Sequence, residues 1–141
     1  MIEDATTEPT APKKRKPRGT SPSARTLAEC RKRGWIAQVV ERFNTYTNRR
    51  VDLFGVIDIV VITEAGILGI QATGGGNGAS RRDKIHAEPR ALAWLKAGAR
   101  LEVWNWEKQG AAGKAKRWKV RADVIRTEDF PLHFGLTEAA P

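Results

Sequence analysis

The chain has 141 residues, 40% of them hydrophobic, which suffices for one modest core and predicts a single domain with a tail. Its formal net charge of +9 and pI of about 10.2 favour polyanionic partners such as nucleic acid or an anionic membrane surface. A single cysteine, Cys30, excludes an intrachain disulfide and a thiolate zinc cluster, and His86 and His133 are the only imidazoles, so any catalysis must run on carboxylates, amides and oxygen-bound metal.

Residues 1–20 are rich in Pro, Thr and charge and are expected to form a disordered tail. Within it Lys13, Lys14, Arg15 and Lys16 make a dense basic run that adds non-specific affinity for phosphates. The run also resembles a basic nuclear-import peptide, the less favoured reading. The polar, acidic start is unlike a secretory signal. The longest apolar stretch, 56–62, is strand-sized and interrupted by Asp58, so no membrane span or membrane partner is expected. A reducing, cytoplasm-like compartment fits best, that of a bacterium or of a phage-infected host.

Ser21-Pro22-Ser23 marks a helix start and Gly34 a stop, which predicts a helix over 22–33. Trp35, Ala37 and Val39 alternate with Ile36, Gln38 and Val40, which predicts a strand over 35–43. After a turn-like stretch, a second strand is expected within 52–62, with Gly55 as a bulge or close approach. A tight turn at 63–66 leads into a third strand at 67–73, and the glycines of 74–78 predict a flexible loop without the spacing or lysine of an ATP-binding P-loop. Residues 80–97 predict a helix with Pro89 as a kink or restart, presenting Leu92, Trp94 and Leu95 to the sheet. Strands at 100–106 and 117–122, joined as a hairpin, complete an α/β fold in the order helix, three strands, helix, two strands: a mixed sheet flanked by helices. The domain is expected over 21–128, with 129–141 as a C-terminal extension. Trp94 and Trp118 are expected in the core. Trp104 and Trp106 share one strand face near several lysines, where base stacking or a dimer contact is the less favoured use.

The most informative residue is Asp58, a carboxylate inside the apolar run Val56-Ile57-Asp58-Ile59-Val60-Val61-Ile62. Burying it is costly unless it is paired, hydrogen-bonded or bound to metal; the structural alternative is a strand-end aspartate paired with an arginine. Alternation along the next strand places Gly69, Gln71 and Thr73 on one face. If the two strands pair, Asp58 and Gln71 converge, and a carboxylate with an amide oxygen makes a hard donor set suited to Mg²⁺ or Mn²⁺.

A helix, a strand, a strand bearing Asp58, a turn, and a strand bearing Gln71-Ala72-Thr73 together resemble the core of the PD-(D/E)XK nuclease superfamily, which has a restriction-endonuclease-like fold. The branch most resembled is the Holliday-junction-resolvase-like group of archaeal and phage enzymes, over about residues 21–125. The resemblance matches Asp58 to the motif aspartate and Gln71-Ala72-Thr73 to the (D/E)-x-K segment. It implies a divalent-metal-dependent endonuclease acting on branched or structured DNA, with Asp58, Gln71 and Glu41 as metal ligands and Thr73 contacting the water or the phosphate. Two departures stand out: Gln71 replaces the acid and Thr73 replaces the lysine. Arg81, Arg82 or Lys84 are the candidates to restore the positive charge and to hold DNA, unless they form only a solvated helix start. For the additional acid of the superfamily, Glu41 is preferred to Glu29; Asp52 also lies close in sequence, and Gly55 between it and Asp58 leaves its co-ligation open. Relatives of this type are typically dimers, so a homodimer is compatible. The rival reading is a non-catalytic DNA-binding module that kept the fold; a weaker third is an assembly protein whose Asp58 is merely salt-bridged.

Overall fold

The structure, a computed structural model, describes residues 19–138; the basic run Lys13–Lys16 lies outside the described residues. Helix α1 (Pro22–Lys32) starts where the Ser21 hydroxyl accepts the Ala24 N–H at 3.1 Å and Pro22 fills a position that needs no donor. It stops before Gly34, whose φ of +82° suits glycine. Strand β1 (Ile36–Val39) follows, then a small hairpin of β2 (Arg42–Asn44) and β3 (Arg49–Val51). Next come β4 (Ile59–Thr63) and β5 (Gly66–Gly74), joined by a two-residue turn. Helices α2 (Gly78–His86) and α3 (Pro89–Lys96) carry the chain across to β6 (Arg100–Gln109), which turns back as β7 (Arg117–Val124). A final helix, α4, spans Leu132–Glu138.

Five strands form one mixed sheet in the order β1-β4-β5-β6-β7. Only β5 and β6 pair in parallel, as a crossover through two helices requires; the other three pairings are antiparallel. Alternation along the strands then divides the core in two. Ile59, Val61, Leu68, Ile70, Trp104 and Trp106 pack with Cys30 of α1. Ile57, Leu101 and Val103 pack on the other face with Ile85, Ala91, Leu92 and Phe130. Each such aliphatic side chain stabilises the fold by about 1.5–3 kcal/mol through its removal from water. Gly69 lets α3 close in, since a Cβ there would stand 3.0 Å from Ile57 and 3.2 Å from Trp94.

Several elements differ from the sequence expectation. The expected first strand breaks after Val39, because the N–H groups of Val40 and Glu41 both turn to the carbonyl of Asp58 (2.8 and 3.3 Å), the pattern of a β-bulge. The second strand begins at Ile59 rather than Asp52, since residues 52–57 form a turn. Pro89 separates two helices, and the glycine-rich segment is ordered: Gly74 ends β5, 75–77 form a 3-10 turn and Gly78 begins α2. Trp118 is not core but 42% exposed on the edge strand, stacked under Arg25 at 3.8 Å from its ring centre. Trp104 and Trp106 are the buried pair, 1% and 6% exposed, and so are closed to base stacking. Phe130, assigned to the C-terminal extension, is buried against the α2/α3 side. No helix among the described residues is long and apolar enough to cross a membrane.

Candidate metal centre

Asp58 sits immediately before β4, where three strands meet. Its N–H donates to Ile70, and its carbonyl receives Val40 and Glu41. Its side chain is 4% exposed and one oxygen, Oδ2, accepts from Gln71 Nε2 at 2.8 Å and from the Ala72 N–H at 2.9 Å. The β1 bulge swings Glu41 towards it. Asp52 arrives from the other direction, through a turn in which Phe54 and Gly55 take φ of +53° and +79° and the Gly55 N–H closes back on the Asp52 carbonyl. Glycine is needed there for its φ, and a Cβ would also stand 3.3 Å from Arg90 Nη2.

Carboxylate oxygens of Glu41, Asp52 and Asp58 thereby lie within 4.8 Å of one another. They line a cavity of about 270 Å³ that also holds Ser23, Arg50, Gln71, Arg81 and Lys84. Three acids cannot all ionise cheaply at this spacing. Burial, then a hydrogen bond that the protonated Asp58 carboxyl donates to Asp52 and the Asp52 charge, push Asp58 from 3.8 up to about 8; the Ala72 N–H pulls the other way and Glu41 adds repulsion. Without a cation the cluster therefore keeps a proton near neutral pH. Positive charge reaches it from the rim: Arg50 Nη1 is 3.5 Å from Glu41, and Lys84 Nζ is 3.7 Å from Asp52. Two residues of the cavity lining each have a buried polar atom without a partner among the described residues, Gln71 Oε1 and Arg81 Nε. Three carboxylates and an amide whose buried oxygen lacks a partner form the hard-oxygen donor set that fits Mg²⁺ or Mn²⁺.

Of the residues expected at the site, Glu41, Asp58 and Gln71 come together, and Arg81 and Lys84 line the same cavity. Arg82 does not. On α2 it points away and pairs with Asp123 of β7 at 2.6 Å. Thr73 shares the Gln71 face but is 4% exposed, opposite Asn105 and outside the cavity lining, so it does not reach the place where a water or phosphate would sit. Glu29 pairs with Arg33 at 2.9 Å and takes no part. Asp52 is the third carboxylate of the cluster, whose part in the site the sequence left open. Its signal was Gly55, whose positive φ returns the chain to Asp58 instead of separating the two acids.

No family model, curated protein or solved structure matches this chain. What the cluster does is therefore read from its own chemistry.

Proposed function

We propose that this protein is a divalent-metal-dependent DNA endonuclease built on a restriction-endonuclease-like core. The observation that carries the reading is the convergence of Glu41, Asp52, Asp58 and Gln71 in one cavity with Arg81 and Lys84 on its rim. The strand order and the placement of Asp58 opposite the C-terminal half of β5 support the resemblance to PD-(D/E)XK nucleases.

Asp58, Asp52 and Glu41, with Gln71 turning its amide oxygen inward, are the residues that would hold Mg²⁺ or Mn²⁺. When bound, the cation supplies Lewis-acid stabilisation of the charge that builds on a phosphodiester. The chain's own cations do the rest. Lys84 and Arg81 are three residues apart on one face of α2, so both point at the cavity. Lys84 takes the place of the motif lysine that Thr73 lacks, holding positive charge beside the phosphate. Arg81 offers its free Nε–H to a phosphate oxygen. Branched or structured DNA is the proposed substrate, and cutting both strands of a branch calls for a second copy. The second reading, a DNA-binding module without catalysis, is favoured by one fact: Thr73 is no lysine.

Cleavage of a labelled four-way junction and a matching duplex, with Mg²⁺, Mn²⁺ or chelator, separates the two. Metal-dependent cutting by the wild type, lost in Asp58→Asn and strongly reduced in Lys84→Met, is expected. Binding with no cutting under either metal would leave the module reading in its place.

A further inference from the structure

Two basic ribbons leave the sheet at the same end as the carboxylate cluster. The first is the β2–β3 hairpin. Because Val39 pairs with Ile59, β1 ends beside Asp58, and the hairpin begins there. Its first rung is Arg42 opposite Val51, so its two feet are Glu41 and Asp52, two of the three carboxylates. Its tip is fixed by Asn44, whose Oδ1 accepts the N–H groups of Tyr46 and Thr47 at 2.9 and 3.3 Å. Arg42 and Arg49 are exposed, Phe43 is 55% exposed and Tyr46 is 98% exposed.

The second ribbon is the outer part of β6 and β7. Since β6 runs parallel to β5, its C-terminal end emerges on the same side as Gln71 and Ala72. Gly74, the last residue of β5, pairs with Trp106, and the rungs Glu107–Lys119, Lys108–Trp118 and Gln109–Arg117 continue past it. Three residues of strand add about 10 Å at ~3.3 Å each. Lys108, Lys114, Lys116, Arg117 and Lys119 are all exposed there, against the single acid Glu107. The strands that root the ribbons, β1 and β7, lie at opposite sheet edges. Four strand spacings of ~4.8 Å separate them by about 19 Å, close to the width of a DNA duplex.

We infer that the two ribbons are arms that straddle a DNA duplex and lay its backbone across the carboxylate cluster. Cations on two sides of one cavity match phosphates on the two strands. The Tyr46 ring, projecting from a fixed turn with nearly all its surface in water, adds a flat apolar contact for a groove or an unstacked base. This inference rests on the DNA-acting reading above but concerns grip, not chemistry.

The test is anisotropy of a labelled DNA duplex in chelator, titrated with salt, so that cutting plays no part. Two arm variants are compared with the wild type: Arg42→Ser/Arg49→Ser, and Lys114→Ser/Lys116→Ser/Arg117→Ser/Lys119→Ser. Each phosphate that a variant no longer neutralises should flatten the slope of log K against log salt by ~0.9, so falls of about 1–2 and 2–4 are expected. The drops should add when the arms are combined. Arg31→Ser/Arg126→Ser, at the far end of the sheet, removes the same charge as the first variant and should leave the slope unchanged. All the altered side chains are exposed, and a thermal melt verifies folding. Equal slopes for arm and control variants, or a duplex displaced as readily by heparin or single-stranded DNA as by unlabelled duplex, would overturn the clamp. Absent cleavage with altered slopes would sink the nuclease reading alone; normal cleavage with unaltered slopes would sink the clamp alone.

Discussion

Indole N–H groups on the α1 side of the sheet end in matched pairs, whereas the acids in the cleft crowd one another. The indole N–H groups of Trp35, Trp104 and Trp106 each find one acceptor, Glu64, Glu102 and Thr26, at 2.9–3.0 Å. Around Asp58 the balance is different: three carboxylates crowd together, one of them keeps a proton, and Gln71 Oε1 has no partner among the described residues. A matched polar group stabilises a fold and asks for nothing more. An excess of buried acceptors is costly unless a ligand completes it. The first region is complete in itself; the second is the one proposed to take a cation.

Mutations should break this contrast in opposite ways. Leu68→Ala, in the α1-side core, is expected to lose about 3–5 kcal/mol in denaturant unfolding. In the cleft, removing a charge should instead relieve strain: in chelator, Asp58→Asn should be as stable as the wild type or more so near pH 8. Equally large losses at the two positions would mean the cleft is an ordinary structural network. Cation should sharpen the contrast next. At a concentration 100-fold above its dissociation constant, Mn²⁺ is expected to stabilise the wild type by about 2.7 kcal/mol, seen as a raised Tm, and to leave Asp58→Asn unmoved.

Acidity supplies a third handle. Because the folded-state pKa of Asp58 is raised from 3.8 to about 8, the folded state binds its proton more tightly than the unfolded chain does. Its contribution is therefore fully present below pH ~4 and lost as pH rises through about 8. Chelated wild type should lose Tm over that interval relative to Asp58→Asn, and parallel curves would refute the shared-proton cluster. The smallest effect is on the matched side. Trp106→Phe keeps most of the ring but removes the donor to Thr26, and should cost about 1 kcal/mol at any pH or metal concentration.

Much of this was legible in the residues. Asp58 inside an apolar run marked the site, and strand alternation put Gln71 opposite it, because a period of two is a local property. Alternation assigns a face but not a depth, which is why Thr73 was expected to reach the site that Gln71 reaches. Consecutive arginines on a helix point about 100° apart, so Arg81 faces the cavity while Arg82 faces Asp123. The part of Asp52 stayed open because its return depends on the φ of Phe54 and Gly55, which no pattern of hydrophobicity encodes. Trp118 was misplaced for a related reason: a strand sequence does not say that its sheet ends there.

Titration of the protein with Mn²⁺, followed by the loss of the free-ion electron paramagnetic resonance signal, tests the central claim most directly. The wild type should bind the cation at a site that Asp58→Asn abolishes and Glu41→Gln and Asp52→Asn weaken, while Glu29→Gln leaves it intact. Wild-type protein that removes no Mn²⁺ from solution, or binding that Asp58→Asn and Glu29→Gln leave equally unchanged, would contradict it.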